Sequence, residues 1–203
     1  REWSSHILET VEIDRNKLSL PVKSGKEVGK LSEGLKEYLG LRGTCFLVTG
    51  GHDQPCAALG AGAIEEGKAL SSTGTADVFS TTFQEPKLNN LMFSSYYPCY
   101  YHTAFPLYFT FSLNHIGGIL FRWFRDNFCD MDVKEAATRS KNPYEYLLRR
   151  IPEKPTSLFF LPHLNGSGNP WCDLSSKGAI VGLTMATTKY EIIKSILESL
   201  TFE

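Results

Sequence analysis

The chain has 203 residues, of which 42% are hydrophobic and 21% are charged, and its formal net charge is −1. This composition is typical of a globular protein with one sizeable domain or slightly more. The sequence has no basic stripe, which argues against a nucleic-acid partner, and no apolar run near the roughly 20 residues of a membrane span.

The five cysteines are scattered, and none has CxxC spacing. This pattern favours a reducing cytoplasm over a disulfide scaffold or a zinc site. The chain begins at Arg1 without a signal-like apolar region, and its last helical pattern runs to Glu203 without a closing Gly, Pro or polar tail. Both features favour a chain cut from a longer protein.

The first part of the sequence predicts short helices around one strand. The predicted elements are, in chain order, a weak helix at 3–10, a polar loop at 17–30, a helix at 31–39, a buried strand at 45–48 and a helix at 54–63. Gly40 ends the second of these helices. The run at 45–48 is apolar and bounded by glycines, which is the pattern of a buried strand.

The middle of the sequence predicts a hairpin followed by a helix. The predicted elements are strands at 68–72 and 76–83 around a turn at 73–75, further strand within 91–111, and a helix at 113–128. The segment 91–111 is rich in aromatic residues, which favour strands. The helix shows an apolar stripe, formed by Ile116, Ile119, Leu120 and Phe124.

The last part predicts alternating helices and strands. The predicted elements are two short surface helices at 132–140 and 143–150, a buried strand at 158–161, a Gly/Pro/Ser loop at 165–178, a strand at 179–183 and a helix from Thr188. Thr188 and Glu191 have capping-box spacing. The apolar face of this helix comprises Ile193, Ile196, Leu197 and Leu200. The whole pattern predicts an α/β or α+β fold with a mixed sheet.

A carboxylate follows the strand predicted at 45–48. Two glycines, Gly50 and Gly51, let the backbone turn, and Asp53 then stands at the start of a helix. Ligands of open α/β sheets gather at the carboxyl ends of strands, where a carboxylate can take a proton from an attacking hydroxyl. The alternative is that Asp53 only caps the following helix. The spacing leaves both roles open.

Two glycine-containing segments are further candidates. The Ser/Thr/Gly turn at 71–75 can present backbone N–H groups to phosphate oxygens, although similar turns join strands in many proteins. Gly117 and Gly118, near a helix start, each cost about 1 kcal/mol relative to Ala. This cost indicates that something passes close to the backbone, and another helix is the more common case than a flat ligand.

The loop from Pro162 to Trp171 is long for a connection, and such loops often carry function. The sequence has no Walker A motif, no GxGxxG and no GxSxG, so P-loop, dinucleotide-binding and hydrolase readings lack support. Four histidines, His52, His102, His115 and His163, have no metal-ligand spacing and are predicted to be structural.

The order and spacing of these segments resemble the FGGY carbohydrate kinases, which include glycerol, xylulose and gluconate kinases. The resembling segments are Gly50–Gln54, Ala57–Gly62, Ser72–Thr75, Leu161–Pro162, Pro170–Asp173 and Gly178–Leu183. The closing stretch resembles a family signature comprising Gly178, Ile180, Gly182 and Leu183, then, after a gap of seven residues, Glu191, Ile192, Ser195, Ile196, Leu197 and Glu198. The resemblance runs from about Leu20 to Glu203.

The resemblance implies two ribonuclease-H-like domains of the actin-like ATPase type, with sugar and ATP between them. Residues 1–20 would be the tail of the N-terminal domain or a linker, and residues 21–203 the first part of the C-terminal domain. By the same resemblance, Asp53 would be the catalytic base, with His52 and Gln54 touching the substrate. Ser167–Gly168 stand where many members carry Glu-Arg, which leaves the sugar open.

The resemblance also implies a nucleotide site. Thr73, Gly74 and Thr75 match the turn that holds the β- and γ-phosphates. Gly118 and Arg122 match a helix start and a side chain that line the nucleotide, with Arg122 replacing a polar amide of some relatives. No metal ligand is implied in this chain, because the Mg²⁺ that accompanies ATP would be held mostly by the N-terminal domain.

The expected activity of the longer protein is transfer of the γ-phosphoryl of ATP to a hydroxyl of a sugar or polyol. The 203-residue chain alone is expected to have negligible turnover, since the cleft needs both domains. Two alternatives are an ATPase in which Asp53 orients water and a sugar- or nucleotide-binding regulatory module without catalysis. The aromatic run 96–111 leaves a homodimer possible, and the expected location is cytoplasmic.

Overall fold

The computed structural model describes residues 2–203. The helices within this range are α1 (Ser5–Thr10), α2 (Glu33–Tyr38), α3 (Asp53–Gly60), α4 (Asn90–Ser94), α5 (Ile119–Phe128), α6 (Asp130–Thr138), α7 (Pro143–Leu148) and α8 (Lys189–Phe202), with a 3₁₀ turn at Arg15–Lys17. The strands are β1 (Glu27–Lys30), β2 (Phe46–Val48), β3 (Ala69–Thr73), β4 (Asp77–Phe83), β5 (Tyr100–Tyr101), β6 (Tyr108–Asn114), β7 (Phe159–Leu161) and β8 (Ala179–Val181).

The chain divides into two compact units. The first unit comprises the residues up to Ala69 together with Thr81–Pro86 and Cys99–Phe109. The second unit comprises Leu70–Ser80, Lys87–Pro98 and Thr110–Glu203. Each unit is therefore built from segments that are distant in sequence.

The first unit contains an antiparallel pair, β1 and β2, in which Lys30 lies opposite Phe46. All three residues of β2 are exposed. The strand predicted at 45–48 is therefore present, but the prediction that it is buried is wrong. The partner strand β1 lies in the segment predicted as a loop, because its four residues, EVGK, carry too little apolar character to indicate a strand.

The largest sheet has four strands in the order β3-β4-β6-β5. In β4, every second residue is buried, namely Val78, Ser80 and Thr82. This period of two is the pattern of a strand with unlike faces. The predicted hairpin around 73–75 is confirmed, since β3 and β4 are neighbours in the sheet and residues 74–76 connect them.

The core of the second unit lies where α5, β7 and α8 meet. Its buried members are Ile116, Leu120, Phe121, Phe124, Cys129, Leu147, Phe160, Ile193 and Ile196. The stripe predicted on the helix after residue 113 supplies most of the α5 side of this core, although Ile119 is 39% exposed. The antiparallel pair β7–β8 contributes Phe160 and the partly buried Ile180.

Helix α8 begins with the predicted capping box. The Thr188 hydroxyl accepts a hydrogen bond from the Glu191 N–H at 3.3 Å, and the Glu191 carboxylate accepts one from the Thr188 N–H at 2.7 Å. These bonds satisfy two N–H groups that a helix start would otherwise leave unpaired. They also hold the pKa of Glu191 below its ordinary value, with the Thr188 N–H making the largest contribution.

A buried polar cluster joins α6 to α8. The Asp132 carboxylate is 5% exposed, forms an ion pair with Lys189 and accepts a hydrogen bond from the Tyr190 hydroxyl at 2.7 Å. Burial alone would raise the pKa of Asp132, but the bonds from Lys189 and Tyr190 outweigh burial and lower it. Burial and the same carboxylate raise the pKa of Tyr190 to about 12.

Two further predictions need correction. The segment 91–111 is not mainly strand, since it holds most of α4, several turns and only short stretches of β5 and β6. The helices predicted near 132–140 and 143–150 are present as α6 and α7, but they are not confined to the surface, because Asp132, Ala136 and Leu147 are buried.

No helix in the described range is both long and apolar enough to cross a membrane.

Candidate active site

Asp53 is the first residue of α3, and the preceding His52 occupies the N-cap position. The alternative in which Asp53 itself caps the helix is therefore wrong by one position. Its Oδ1 atom accepts a hydrogen bond from the Gln54 N–H at 2.8 Å. A carboxylate in the first turn is favoured there, because the helix N-terminus carries partial positive charge.

The contacts of the Asp53 carboxylate converge on one oxygen. The Nδ1 atom of His52 lies 3.3 Å from Oδ1, the same oxygen that accepts the Gln54 N–H. No hydrogen bond or ion pair within residues 2–203 engages Oδ2. Because the Asp53 side chain is 83% exposed, Oδ2 is open to an approaching hydroxyl.

Gln54, the residue after Asp53, has an unsatisfied side-chain oxygen. Its Oε1 atom is buried and has no hydrogen-bond partner within residues 2–203. Buried polar atoms are nearly always paired, and the described residues supply no donor to this oxygen. Because Oε1 is buried, a substrate hydroxyl could reach it only after the Gln54 side chain moves, so the substrate contact of Gln54 stays a prediction.

The second unit brings together two candidate segments that are far apart in sequence. The Gly117 N–H donates to the Thr75 carbonyl and the Gly118 N–H to the Gly74 carbonyl, both at 2.8 Å. The bend between β3 and β4 thus lies against the start of α5. The Gly74 N–H donates to the Ala76 carbonyl at 2.9 Å, so in this conformation it is not available to a phosphate oxygen.

The glycine pair before α5 is explained by this contact. A Cβ atom added at Gly117 would lie 2.8 Å from the Ala76 carbonyl carbon and oxygen and 2.9 Å from the Gly74 oxygen. At Gly118, the nearest atom would be the Gly74 oxygen at 3.2 Å. The sequence favours another helix as the element that passes close to these two glycines. In the structure, that element is instead the backbone of the bend.

Arg122 lies one turn into α5. Its Nε atom is 3.9 Å from Asp126 Oδ2, and its side chain is 66% exposed. This long, solvent-exposed ion pair holds the guanidinium weakly. The side chain is therefore free to move toward an anionic ligand.

A cavity lies next to Thr73, and no sequence pattern predicted it. The cavity measures about 550 Å³ and is lined in part by Asp77, Asn114 and Asn169. Asp77 Oδ1 and Asn114 Nδ2 are buried and have no hydrogen-bond partner within residues 2–203. Polar residues directly after the bend and at the end of β6 were the signal that could have identified these positions.

The loop predicted as a candidate is anchored by Asn169. Its side-chain oxygen accepts the Leu113 N–H at 2.9 Å, and its side-chain NH₂ donates to the carbonyls of Ser95 and Tyr96 at 3.0 and 2.8 Å. A Cβ added at Gly168 would lie 1.5 Å from the Leu113 oxygen. Packing within the chain therefore explains why Gly168 and Asn169 stand in this loop, and no ligand is needed to explain them.

The histidines differ in their surroundings. His163 is buried between the Ser176 hydroxyl at 2.7 Å and Glu203 Oε1 at 2.9 Å. His102 is fully buried in the first unit, where its Nδ1 accepts the Ala104 N–H, and burial lowers its pKa. Within residues 2–203, no cluster of three or more His, Cys, Asp or Glu side chains could hold a metal ion.

Comparison with known proteins identifies the family. Residues 69–203 match the model of the FGGY family of carbohydrate kinases, C-terminal domain. The chain belongs to the FGGY family of carbohydrate kinases. The matched range begins at the start of β3, whereas the boundary predicted after residue 20 stays a prediction.

Individual FGGY relatives agree with this assignment. The chain is 26% identical to the xylulose kinase of Bacillus subtilis over 202 residues, which are 100% of this chain and 38% of that protein. It is also 26% identical to the gluconokinase of the same organism, covering 99% of this chain and 39% of that protein. The chain thus spans less than two fifths of the length of these relatives.

Solved structures establish the fold. A ligand-bound xylulose kinase from Lactobacillus acidophilus superposes with a TM-score of 0.81 at 24% identity, over 99% of this chain and 39% of that one. The gluconate kinase of the same organism superposes with a TM-score of 0.80 at 24% identity, over 98% of this chain and 39% of that one. The predicted ribonuclease-H-like, actin-like ATPase fold is confirmed, in incomplete form.

The two groups of predicted site residues fall in different units. His52, Asp53 and Gln54 belong to the first unit, whereas the bend at 73–75, Gly118 and Arg122 belong to the second. The structure brings the residues within each group together. The idea that the carboxylate faces the bend across a cleft stays a prediction.

Proposed function

We propose that the full-length protein is an ATP-dependent carbohydrate kinase that phosphorylates a hydroxyl of a sugar or polyol. The observation that carries this proposal is the Asp53 carboxylate, which stands exposed at a helix start with one oxygen unengaged. Membership of the FGGY family supports it, because the relatives matched along this chain are named as xylulose, gluconate and glycerol kinases.

Asp53 would act as the general base. Its Oδ2 atom would accept the proton of the attacking hydroxyl as that oxygen becomes bonded to phosphorus. The Gln54 N–H and the His52 contact would hold Oδ1 and so keep Oδ2 directed outward. Once a rotation of the Gln54 side chain exposes Oε1, that oxygen would accept a hydrogen bond from the substrate and so orient the hydroxyl before reaction.

The nucleotide would be held by residues of the second unit. The exposed Thr73, Gly74 and Thr75 would face the β- and γ-phosphates, and Gly118 and Arg122 would line the same site. The exposed guanidinium of Arg122 fits an anionic ligand. Mg-ATP, when bound, supplies the transferable phosphoryl group, with Mg²⁺ held mostly by residues outside this chain. Cytoplasmic location and a homodimer also remain predictions.

The test is Asp53→Asn in the full-length protein, compared with Asp14→Asn. Asp14 is also an aspartate that accepts a local backbone hydrogen bond, from the Asn16 N–H at 2.9 Å, so its variant controls for loss of one charge. Sugar-dependent ADP formation should fall by about 10²- to 10⁴-fold in Asp53→Asn. Binding of ATP and sugar, measured by calorimetry, should persist in both variants.

Three outcomes would contradict the proposal in different ways. Unchanged turnover in Asp53→Asn would remove Asp53 from its role. ADP formation that does not depend on any sugar would favour an ATPase in which Asp53 orients water. Ligand binding by the unmodified protein without turnover on a panel of pentoses, hexoses, polyols and ketoses would favour a regulatory module.

A further inference from the structure

The segment that carries Tyr100 is fixed against the turn that carries Asp53, within the first unit. The Thr103 hydroxyl donates a hydrogen bond to the Pro55 carbonyl at 2.9 Å. A Cβ added at Gly51 would lie only 2.3 Å from the Thr103 methyl group. Because Gly51 has no side chain, Thr103 can pack directly against the backbone of the turn that carries Asp53.

Tyr100 contacts His52, the residue that precedes Asp53. Its ring stacks on the His52 imidazole, with centroids 5.9 Å apart and planes inclined by 19°. Tyr100 lies in β5 opposite Phe109 of β6, so the strand sets the direction of its ring. The His52 Nδ1 atom then lies 3.3 Å from Asp53 Oδ1. A continuous series of contacts thus leads from a strand to the carboxylate.

We propose that Tyr100 is a positioning residue that acts on Asp53 through His52. The Asp53 side chain is 83% exposed, so surrounding packing does not select its rotamer. The stack restricts the imidazole, and the imidazole favours the carboxylate rotamer in which Oδ1 faces inward and Oδ2 faces outward. Restricting a reacting group before the reaction raises the rate of the chemical step more than it raises affinity.

The catalytic consequence rests on the proposed function, whereas the coupling from Tyr100 to His52 does not. Both can be tested in the full-length protein with Tyr100→Ala, Tyr100→Phe and the control Tyr101→Ala. Tyr101 is the adjacent residue of β5, is equally exposed and pairs its ring with Tyr108, 5.2 Å away. Its variant therefore removes a similar ring from the same strand.

The kinetic readout separates positioning from folding. Tyr100→Ala should lower kcat by about 10- to 100-fold, with the KM for ATP unchanged. Tyr100→Phe, which keeps the ring, should stay within about 2-fold of the unmodified protein, since ring area carries most of such a contact. An equal loss of kcat in Tyr101→Ala, or in Tyr100→Phe, would overturn the proposal, as would an unchanged kcat in Tyr100→Ala.

A spectroscopic readout does not depend on turnover. In protein labelled with ¹⁵N-histidine, the His52 ring signals should move in Asp53→Asn and in Tyr100→Ala but not in Tyr101→Ala. If the unmodified protein proves not to phosphorylate sugars, the proposed function fails, and this pattern still decides the coupling. If the His52 ring signals do not move in Tyr100→Ala, the coupling is refuted even in a fully active kinase.

Discussion

Replacing Gly117 by Ala tests whether the bend between β3 and β4 is held by the start of α5. The added Cβ would lie 2.8 Å from the Ala76 carbonyl carbon and oxygen, closer than side-chain carbons are found to backbone. To restore an ordinary contact of 3.4 Å, the bend must move by about 0.6 Å. The obstacle is backbone and cannot be relieved by a rotamer change.

The expected free-energy cost follows from the bonds that this movement disturbs. The Gly117 N–H and Gly118 N–H bonds to the bend, both 2.8 Å long, would lengthen together. Each such bond contributes about 1 kcal/mol, so weakening both by about half costs about 1 kcal/mol in total, and an overpacked position costs about 1–3 kcal/mol. We therefore expect a local destabilisation of about 2–4 kcal/mol, which corresponds to roughly 30- to 700-fold more frequent opening.

Hydrogen exchange measured by mass spectrometry on the full-length protein can detect this opening. Peptides that cover 70–80 and 112–120 should exchange faster in Gly117→Ala. The matched control is Gly34→Ala, since Gly34 lies within α2 and an added Cβ there meets no atom within 4 Å. That variant should instead slow exchange in α2, because Ala favours a helix over Gly by about 1 kcal/mol.

The same variant also connects the bend to nucleotide binding. If the bend holds phosphate, the KM for ATP should rise in Gly117→Ala and remain unchanged in Gly34→Ala. Exchange at 70–80 that matches the unmodified protein would refute the packing argument. Faster exchange with an unchanged KM for ATP would keep the packing argument and remove the bend from the nucleotide site.

Two further predictions concern the buried cluster and the chain as a whole. The pKa of Asp132 lies below its ordinary 3.8 in the folded state, so its stabilising contribution is present above that pH and is lost as the pH falls toward the folded value. Asp132→Asn should therefore lower the free energy of unfolding near neutral pH by about 1–3 kcal/mol, with a smaller difference in acid, as checked by urea denaturation of the full-length protein. Separately, the purified 203-residue chain should show negligible sugar-dependent ADP formation. Turnover near that of the full-length protein would contradict the idea that catalysis needs both domains.

Local sequence signals were sufficient for elements whose determinants are neighbours in the chain. The capping box of Thr188 and Glu191 predicts the start of α8, because the bonds that form it join residues three positions apart. The turn at 73–75 predicts the β3–β4 hairpin for the same reason. The segment Gly50–Gln54 predicts an acid at a helix start, since a strand, two glycines and an acid are all visible in the sequence, and Asp53 is the first residue of α3.

Tertiary structure decided everything that depends on segments far apart in the chain. The exposure of β2, the approach of the bend to Gly117 and the stack of Tyr100 on His52 involve contacts that no local pattern encodes. The sequence by itself determined which groups could act as base or contact phosphate. Packing decided which neighbours restrain those groups. Two backbones can approach closely only if the shape of the whole unit brings them together and no side chain lies between them.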